Sequence, residues 1–425
     1  MGKLKAFQIL FYNTQPVPVY YAGQVLSGQV IVELNEPMSM RGLRLILNGA
    51  AKVHWIEHRS SGSGKHKHTH IVHYNNDELY FNHEIILFTK EPGSSDNPMM
   101  PAGRNAFDFA IRLPPQIPST FEGLHGGVRY YAKACINRPW KFDHTVKEMF
   151  TVVSVLDLNV LPQAESHVSG RNEKYVCCWC CKQGPLACEA SIPRMGYVPG
   201  ENILVSAEIE NNTNRKCNDS KAKLTVITTF SARSKTRSVS KVIGFISKGE
   251  IKRREGETWT NEPLRVPPLP PSKLVGCNII DIDYFVDVEV SPAGPALDLD
   301  VRLPIIIGSI PLRSVFQGWQ AQDQIPFSNA LQSQENHRSG ATMRCPGKGP
   351  SESCPAGGVV QWRGTCLIPS APVVPPAYDI YPDLLPPSYM ECMDSNVDAR
   401  DSNDDAYTMG DLKYTPCYPY YNNLQ

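Results

Sequence analysis

The stretch NIIDIDYFVDVEV, at residues 278–290, alternates apolar and mostly acidic side chains with a period of two. Such alternation is typical of a β-strand that buries one face and turns the other to water. The apolar face holds Ile280, Ile282, Tyr284, Val286, Val288 and Val290, and the opposite face holds Asp281, Asp283, Phe285, Asp287 and Glu289. The stretch therefore predicts a strand of an antiparallel sheet with one solvated face.

Two further stretches show the same period. One face of FDFAIRLP holds Phe107, Phe109, Ile111 and Leu113, and one face of the stretch from residue 128 onward holds Val128, Tyr130, Ala132, Ala134 and Ile136. Short runs of this kind, separated by Gly, Pro and Asn, extend over about 300 residues without a convincing long helix. The chain is therefore expected to be all-β, with two β-sandwiches in series that divide near residues 156–175.

The charge of the chain is balanced overall but not along its length. Lys and Arg number 42, as do Asp and Glu, and this neutrality argues against a dedicated nucleic-acid-binding protein. Residues 311–425 carry 7 basic and 12 acidic residues, which leaves 35 and 30 before them, so the body is at +5 and the C-terminal part at −5. That part also holds 14 of the 36 prolines and shows no apolar period, which predicts a disordered tail.

The cellular compartment is predicted from three features that we do not find in the sequence: a signal peptide, a membrane span and a disulfide framework. The opening MGKLKAFQILFYN has no apolar stretch of signal-peptide length, and no window approaches the ~18–20 apolar residues of a membrane span. The 13 cysteines are odd in number and include adjacent pairs, unlike a secreted disulfide framework. We expect a soluble intracellular protein.

Two short motifs in the tail, PPAY and PPSY, carry the clearest functional signal. Their defining residues are Pro375, Pro376 and Tyr378 in the first motif, and Pro386, Pro387 and Tyr389 in the second. Paired prolines hold an extended polyproline II ridge before binding, so docking in an aromatic groove loses little chain entropy, while the Tyr ring fills an adjacent pocket. This is the recognition chemistry of WW domains.

Chance does not explain both motifs. A random segment with the same Pro and Tyr content would contain ~0.12 such motifs. The two lie eleven residues apart, so a partner with several WW domains could engage both and gain affinity by ~10²–10⁴-fold where the geometry permits.

The cluster CCWCC places Cys177, Cys178, Cys180 and Cys181 around Trp179. Three interpretations stay open: partly buried thiols, S-acylated cysteines that add membrane affinity, and zinc ligands. The zinc interpretation fits poorly, because zinc sites favour cysteine pairs separated by at least two residues.

Two other polar groups allow metal chemistry without requiring it. The loop KHKHTHIVH gathers His66, His68, His70 and His73, but its interleaved lysines repel a cation. The acidic face of residues 281–289 could bind a hard cation, although the outward face of a strand is polar in any case. We expect neither a metal nor another cofactor.

Several ordered stretches resemble the α-arrestins, the arrestin domain-containing proteins. In the first half these are YYAGQVLSGQVIVEL, YFNHEIILF and FEGLHGGVRYYAKACINRPW, and LDLNVLP resembles the interdomain connection. In the second half they are GYVPGENILVSAEIEN, VPPLPPS, GCNIIDIDYFVDVEV and LPIIIGSIPL. The resemblance implies arrestin-like N- and C-terminal β-sandwiches at residues 1–160 and 175–312, an interdomain connection at 161–174, and a disordered tail at 313–425.

The resemblance also implies a function. The chain would be a non-enzymatic adaptor that selects membrane receptors or transporters as cargo with its arrestin body and recruits HECT-type ubiquitin ligases through its PPxY motifs. Cargo ubiquitination would then promote endocytosis and endosomal sorting, with endocytic or endosomal machinery as further partners. We expect a cytoplasmic protein that is peripheral at the plasma membrane and endosomes.

The resemblance does not extend to thioredoxin binding, and it leaves one alternative function open. Thioredoxin-interacting protein captures thioredoxin through a Cys three residues before a Trp, whereas here Gly256 stands three residues before Trp259, so thioredoxin binding is not predicted. The alternative to the ligase adaptor is an arrestin-like vesicle-sorting scaffold that works independently of ubiquitin.

Overall fold

The computed structural model describes most of the chain up to residue 316 and separate stretches near the C-terminus. The described residues are 3–12, 18–61, 68–90, 96–175, 184–233, 235–316, 384, 387–392, 397–400, 404, 408–410 and 412–422. Within them, strands dominate and no helix is long and apolar enough to cross a membrane.

Among the described residues, the first β-sandwich contains eleven strands. They are β1 (Leu4–Phe11), β2 (Val19–Tyr21), β3 (Val25–Leu34), β4 (Met38–Ser39), β5 (Gly42–Ser61), β6 (His68–Thr89), β7 (Met99–Met100), β8 (Gly103–Arg112), β9 (Phe121–Gly123), β10 (Gly126–Asn137) and β11 (His144–Val153). One sheet has the order β1-β3-β8 and the other β2-β11-β10-β5-β6, with β9 beside β10 and with β4 and β7 forming a separate pair. Strand β2 runs parallel to its neighbour, β11.

The described part of the second β-sandwich contains nine strands. They are β12 (Val168–Lys174), β13 (Leu186–Ile192), β14 (Gly196–Tyr197), β15 (Asn202–Asn211), β16 (Cys217–Ala232), β17 (Lys235–Lys248), β18 (Gly256–Arg265), β19 (Ile280–Pro292) and β20 (Leu299–Ile307). Its sheets have the orders β12-β13-β15-β18 and β14-β20-β19-β16-β17. A short 3₁₀ turn at Ser272–Leu274 precedes β19.

The predicted alternation is confirmed in both sandwiches. All six apolar residues predicted for the inner face of β19 are buried, and so are the five predicted for β10. Residues of both sandwiches belong to a single buried apolar cluster. The period of two in the sequence therefore reports which side chains form the core.

The connection between β11 and β12 spans residues 154–167, which is earlier in the chain than the predicted 161–174. It contains two 3₁₀ turns, Leu158–Val160 and Pro162–Glu165. Residues 168–174 form β12, which pairs with β13 over its whole length, so they belong to the second sandwich. The prediction was wrong there because VSGRNEK lacks apolar alternation: β12 is an edge strand with mainly exposed side chains.

The β5–β6 hairpin rests against the second sandwich. The Glu57 carboxylate forms an ion pair with the Lys235 ammonium group. The Asn278 backbone N–H donates to the Glu78 carboxylate at 2.9 Å, and the Asn76 amide donates to the Ser231 carbonyl at 3.1 Å. These contacts fix the hairpin across the domain boundary.

The described residues near the C-terminus return to the body of the molecule. They form β21 (Ser388–Glu391), β22 (Val397–Asp398), β23 (Lys413–Tyr414) and β24 (Cys417–Tyr420). Strand β21 pairs with β24, and β22 pairs with β23. We call the described residues from 384 to 422 the C-terminal segment. Tyr414, Tyr418 and Tyr421 of this segment are buried, so these described residues are ordered within a tail that the sequence predicts to be disordered.

Candidate functional site

The predicted site residues divide into two groups. Those outside the described residues are Pro375, Pro376, Tyr378, Pro386, Cys177, Cys178, Cys180 and Cys181. The remaining two, Pro387 and Tyr389 of the PPSY motif, belong to the C-terminal segment. The structure therefore places the end of the second motif on the body of the protein.

Tyr389 packs where β2 lies beside β11. Its ring contacts an apolar cluster of Val19, Tyr21, Val153 and Cys417. Its hydroxyl donates a hydrogen bond to the Tyr21 hydroxyl at 3.3 Å. Burial raises the pKa of Tyr389 to about 12, although the bond to Tyr21 acts in the opposite direction. The ring is thus partly withdrawn from water.

The PPSY backbone is also engaged. Pro387 is buried, and Ser388–Glu391 pair in antiparallel register with Cys417–Tyr420. The Ser388 hydroxyl donates to the Tyr420 carbonyl at 2.9 Å. The motif therefore ends in a β-ladder.

Two tyrosines anchor this ladder to the two sandwiches. Tyr418 is fully buried, and its hydroxyl donates to the Thr120 carbonyl of the first sandwich at 2.9 Å. The Tyr421 backbone N–H donates to the Pro199 carbonyl of the second sandwich at 3.0 Å. Gly200 permits this approach, since a Cβ there would lie 2.3 Å from the Tyr421 carbonyl oxygen. The segment therefore touches both sandwiches.

A buried cluster of charges holds the middle of the segment. The Asp404 carboxylate lies between two ammonium groups, 2.7 Å from Lys133 Nζ and 2.7 Å from Lys147 Nζ. The side chain of Lys147 is 1% exposed and that of Asp404 is fully buried. Lys147 also donates to the Ala399 carbonyl at 2.9 Å and lies 4.3 Å from the centre of the Tyr131 ring. The carboxylate compensates the charge of a lysine that is buried beneath the C-terminal segment.

Residues 408–410 lie along β11 where β2 no longer covers it. The Lys147 N–H donates to the Met409 carbonyl, and the Met409 N–H donates to the Thr145 carbonyl, both at 2.9 Å. Gly410 follows with φ +111°, and a Cβ there would lie 2.0 Å from the Lys147 carbonyl oxygen. The C-terminal segment thus covers an otherwise open sheet edge, a position that proteins commonly protect.

The acidic face of β19 has a structural explanation. The carboxylates of Asp281 and Asp283 both pair with Lys273, at 3.3 and 2.5 Å. Arg302 binds Asp287 through two hydrogen bonds of 2.7 and 3.0 Å, and Lys223 lies 2.6 Å from Glu289. The face is thus occupied by ion pairs, as the reading of a polar strand face predicts.

The His loop gives no metal geometry among its described members. His68, His70 and His73 lie on β6, while His66 falls outside the described residues. His70 contacts the Ser61 hydroxyl at 2.9 Å, and His73 stacks on His54. Across the described part of the chain, no three His, Cys, Asp or Glu side chains are grouped to hold a metal ion.

Sequence reasoning missed the anchoring residues of the C-terminal segment. Tyr414, Tyr418, Tyr420 and Tyr421 stand within eight residues, and disordered segments are typically poor in aromatic residues. That density was a usable signal of order. No comparable signal linked Asp404 to Lys147, because the two lie 257 residues apart.

Comparison with known proteins agrees with this architecture. The arrestin (or S-antigen) N-terminal domain model matches residues 7–159, and the corresponding C-terminal domain model matches residues 182–312. The first range extends from within β1 to beyond β11, and the second covers β13 to β20 of the second sandwich.

Similar proteins share the same domain type. Arrestin domain-containing protein 17 of Caenorhabditis elegans is 31% identical over the full length of both chains. Human arrestin domain-containing protein 4 is 31% identical, covering 73% of this chain and 72% of the human protein. Human thioredoxin-interacting protein is 30% identical, covering 72% and 75%. With its two arrestin sandwiches and these relatives, the chain belongs to the α-arrestins, the arrestin domain-containing proteins.

Proposed function

We propose that this chain is a non-enzymatic adaptor that joins membrane-protein cargo to HECT-type ubiquitin ligases with WW domains. The observation that carries the proposal is the pair of PPxY motifs, PPAY and PPSY, after a two-sandwich arrestin body. Members of this family commonly act as adaptors or scaffolds, which supports a binding role rather than catalysis.

The division of labour follows from the two parts. The arrestin body offers broad sheet surfaces to receptors or transporters, and the PPxY motifs offer short peptide ligands to WW domains. Ubiquitination of the cargo would then direct it to endocytosis and endosomal sorting. The protein would act in the cytoplasm, peripherally at the plasma membrane and endosomes.

The test is a binding measurement with both tyrosines changed. Tyr378→Ala with Tyr389→Ala should abolish pull-down of a multi-WW ligase by the full chain, because each WW pocket loses its ring. Tyr381→Ala is the matched control, since Tyr381 stands between the motifs and belongs to neither. Undiminished binding by the double variant would refute the ligase assignment.

Cargo traffic separates this proposal from the ubiquitin-independent scaffold. In cells, the double variant should still bind cargo while its ubiquitination and internalisation fall. Internalisation that proceeds at the wild-type rate would favour the scaffold. Proximity labelling of the two forms should show the ligase lost and the cargo retained.

A further inference from the structure

In the PPSY motif, the structure engages the atoms that a WW domain needs. A polyproline II ligand presents its proline rings and its solvated backbone to an aromatic groove. In PPSY, Pro387 is buried, Ser388 and Tyr389 pair with β24, and the Tyr389 ring packs on Tyr21. The same ring cannot enter a WW pocket at the same time.

We propose that the C-terminal segment holds the PPSY motif closed against the body, so that a WW domain binds PPSY only after the segment leaves. This regulation rests on the proposed function, since it concerns the same motif. PPAY, at residues 375–378, precedes the segment. The chain therefore carries two PPxY motifs, of which PPSY is conditional on release of the segment.

The contacts that close the motif lie far from it in sequence. Tyr418 and Tyr421 anchor β24, the partner of β21, to the two sandwiches. Asp404 is held by Lys133 and Lys147, and Met409 extends the edge of β11. Changes at Asp404 or Gly410 therefore act on PPSY without altering any residue of the motif.

The fraction of molecules in which the C-terminal segment is released determines how much more weakly the full chain should bind a WW domain than the free motif does. A ligand that binds only the open form has an apparent affinity reduced by the open fraction, so a segment that is open ~10% of the time weakens binding ~10-fold. Variants that open the segment should restore the affinity of the free motif. Variants elsewhere on the surface should leave it unchanged.

The experiment uses the full chain with Tyr378→Ala, which leaves PPSY as the PPxY motif. Calorimetry or fluorescence anisotropy gives the Kd of a single WW domain from a HECT-type ligase for this chain and for a synthetic peptide of residues 382–394. The peptide should bind at least ~10-fold more tightly than the chain. Equal Kd values would overturn the proposal.

Two opening variants and one control are added in the same background. Asp404→Lys places a third cation between Lys133 and Lys147, and Gly410→Ala places a Cβ against the Lys147 carbonyl. Each should bring the Kd of the chain toward that of the peptide. Asp398→Asn, at an exposed residue of the same segment, should not change it. Failure of both opening variants to tighten binding would also overturn the proposal.

Binding of the peptide distinguishes failure of the closed-motif proposal from failure of the proposed adaptor function. If it binds and the full chain binds equally well, the closed motif is refuted while the adaptor function stands. If the peptide itself does not bind, the use of PPSY by the adaptor is refuted, and its closure falls with it. Tyr389→Ala in the peptide should remove binding and confirms that the measured contact is the motif.

Discussion

The outward faces of β11 and β19 both carry charged side chains, but the two faces compensate those charges in different ways. On β19, acidic side chains pair with basic groups on neighbouring strands or loops of the same sandwich, and most of these pairs are partly solvated. On β11, Lys147 is 1% exposed, and its carboxylate partner comes from Asp404 in the C-terminal segment. One face is complete within its own sandwich, whereas the other depends on a segment that can leave.

This difference matters because buried charges behave unlike exposed ones. An exposed ion pair contributes about 0–1 kcal/mol, since water screens it. Breaking a buried pair destabilises by about 3–5 kcal/mol, since it leaves a desolvated charge uncompensated. The face of β11 should therefore respond to changes in the C-terminal segment, and the face of β19 should not.

The largest expected effect is that of Tyr418→Ala. Tyr418 is fully buried and bonds to the Thr120 carbonyl, so its loss should weaken docking of the segment by about 3–5 kcal/mol, up to the total docking free energy. Hydrogen exchange at Ser388–Glu391 should accelerate strongly. Tyr420→Ala, at a partly exposed neighbour, should have a smaller effect, and equal effects would contradict the assignment of Tyr418 as an anchor.

Asp404→Ala should have the next largest effect. It removes the carboxylate that compensates Lys147, but Lys147 can regain water if the segment leaves, so we expect a docking loss of at most about 3 kcal/mol. The hydrogen-exchange rate of the β24 amides measures this loss of docking. Asp398→Ala is the matched control, because its carboxylate is exposed. A β24 exchange rate that Asp404→Ala leaves unchanged would show that the buried pair does not hold the segment.

Alkaline pH should also weaken docking of the C-terminal segment. The pKa of Tyr389 rises to about 12 in the docked form, above the ordinary value of 10.0 for the released form. The docked form therefore keeps its proton more tightly, and this part of its stability is complete below pH 10 and lost as the pH rises toward 12. Tyr389→Phe should reduce the loss of β21 protection over that range, and an identical profile would contradict this contribution.

The smallest effect is expected on β19. Asp287→Ala removes the pair with Arg302, whose side chain is 50% exposed, so the free energy of unfolding should fall by no more than about 1 kcal/mol. Denaturant titration measures this change. Exchange at β24 should stay at the wild-type rate, and acceleration there would erase the contrast between the two faces.

The buried strand faces could be predicted from the sequence, whereas docking of the C-terminal segment could not. Alternation over residues 278–290 and 126–137 identified the buried faces of β19 and β10, because burial of one face leaves a local pattern. Docking of the C-terminal segment leaves no such pattern, since Thr151 bonds to Tyr414 across 263 residues at 2.7 Å. The PPxY pattern of PPSY was visible in the sequence, but the packing of Pro387 and Tyr389 depends on these distant partners.

The most direct test of the docked PPSY motif is hydrogen–deuterium exchange of the intact chain, followed in peptides that cover residues 387–392 and 417–422. Ladder pairing between β21 and β24 predicts slow exchange in both peptides, and Asp404→Lys should accelerate both together. Exchange of both peptides in the wild-type chain at the rate of an unstructured peptide would contradict the closed motif.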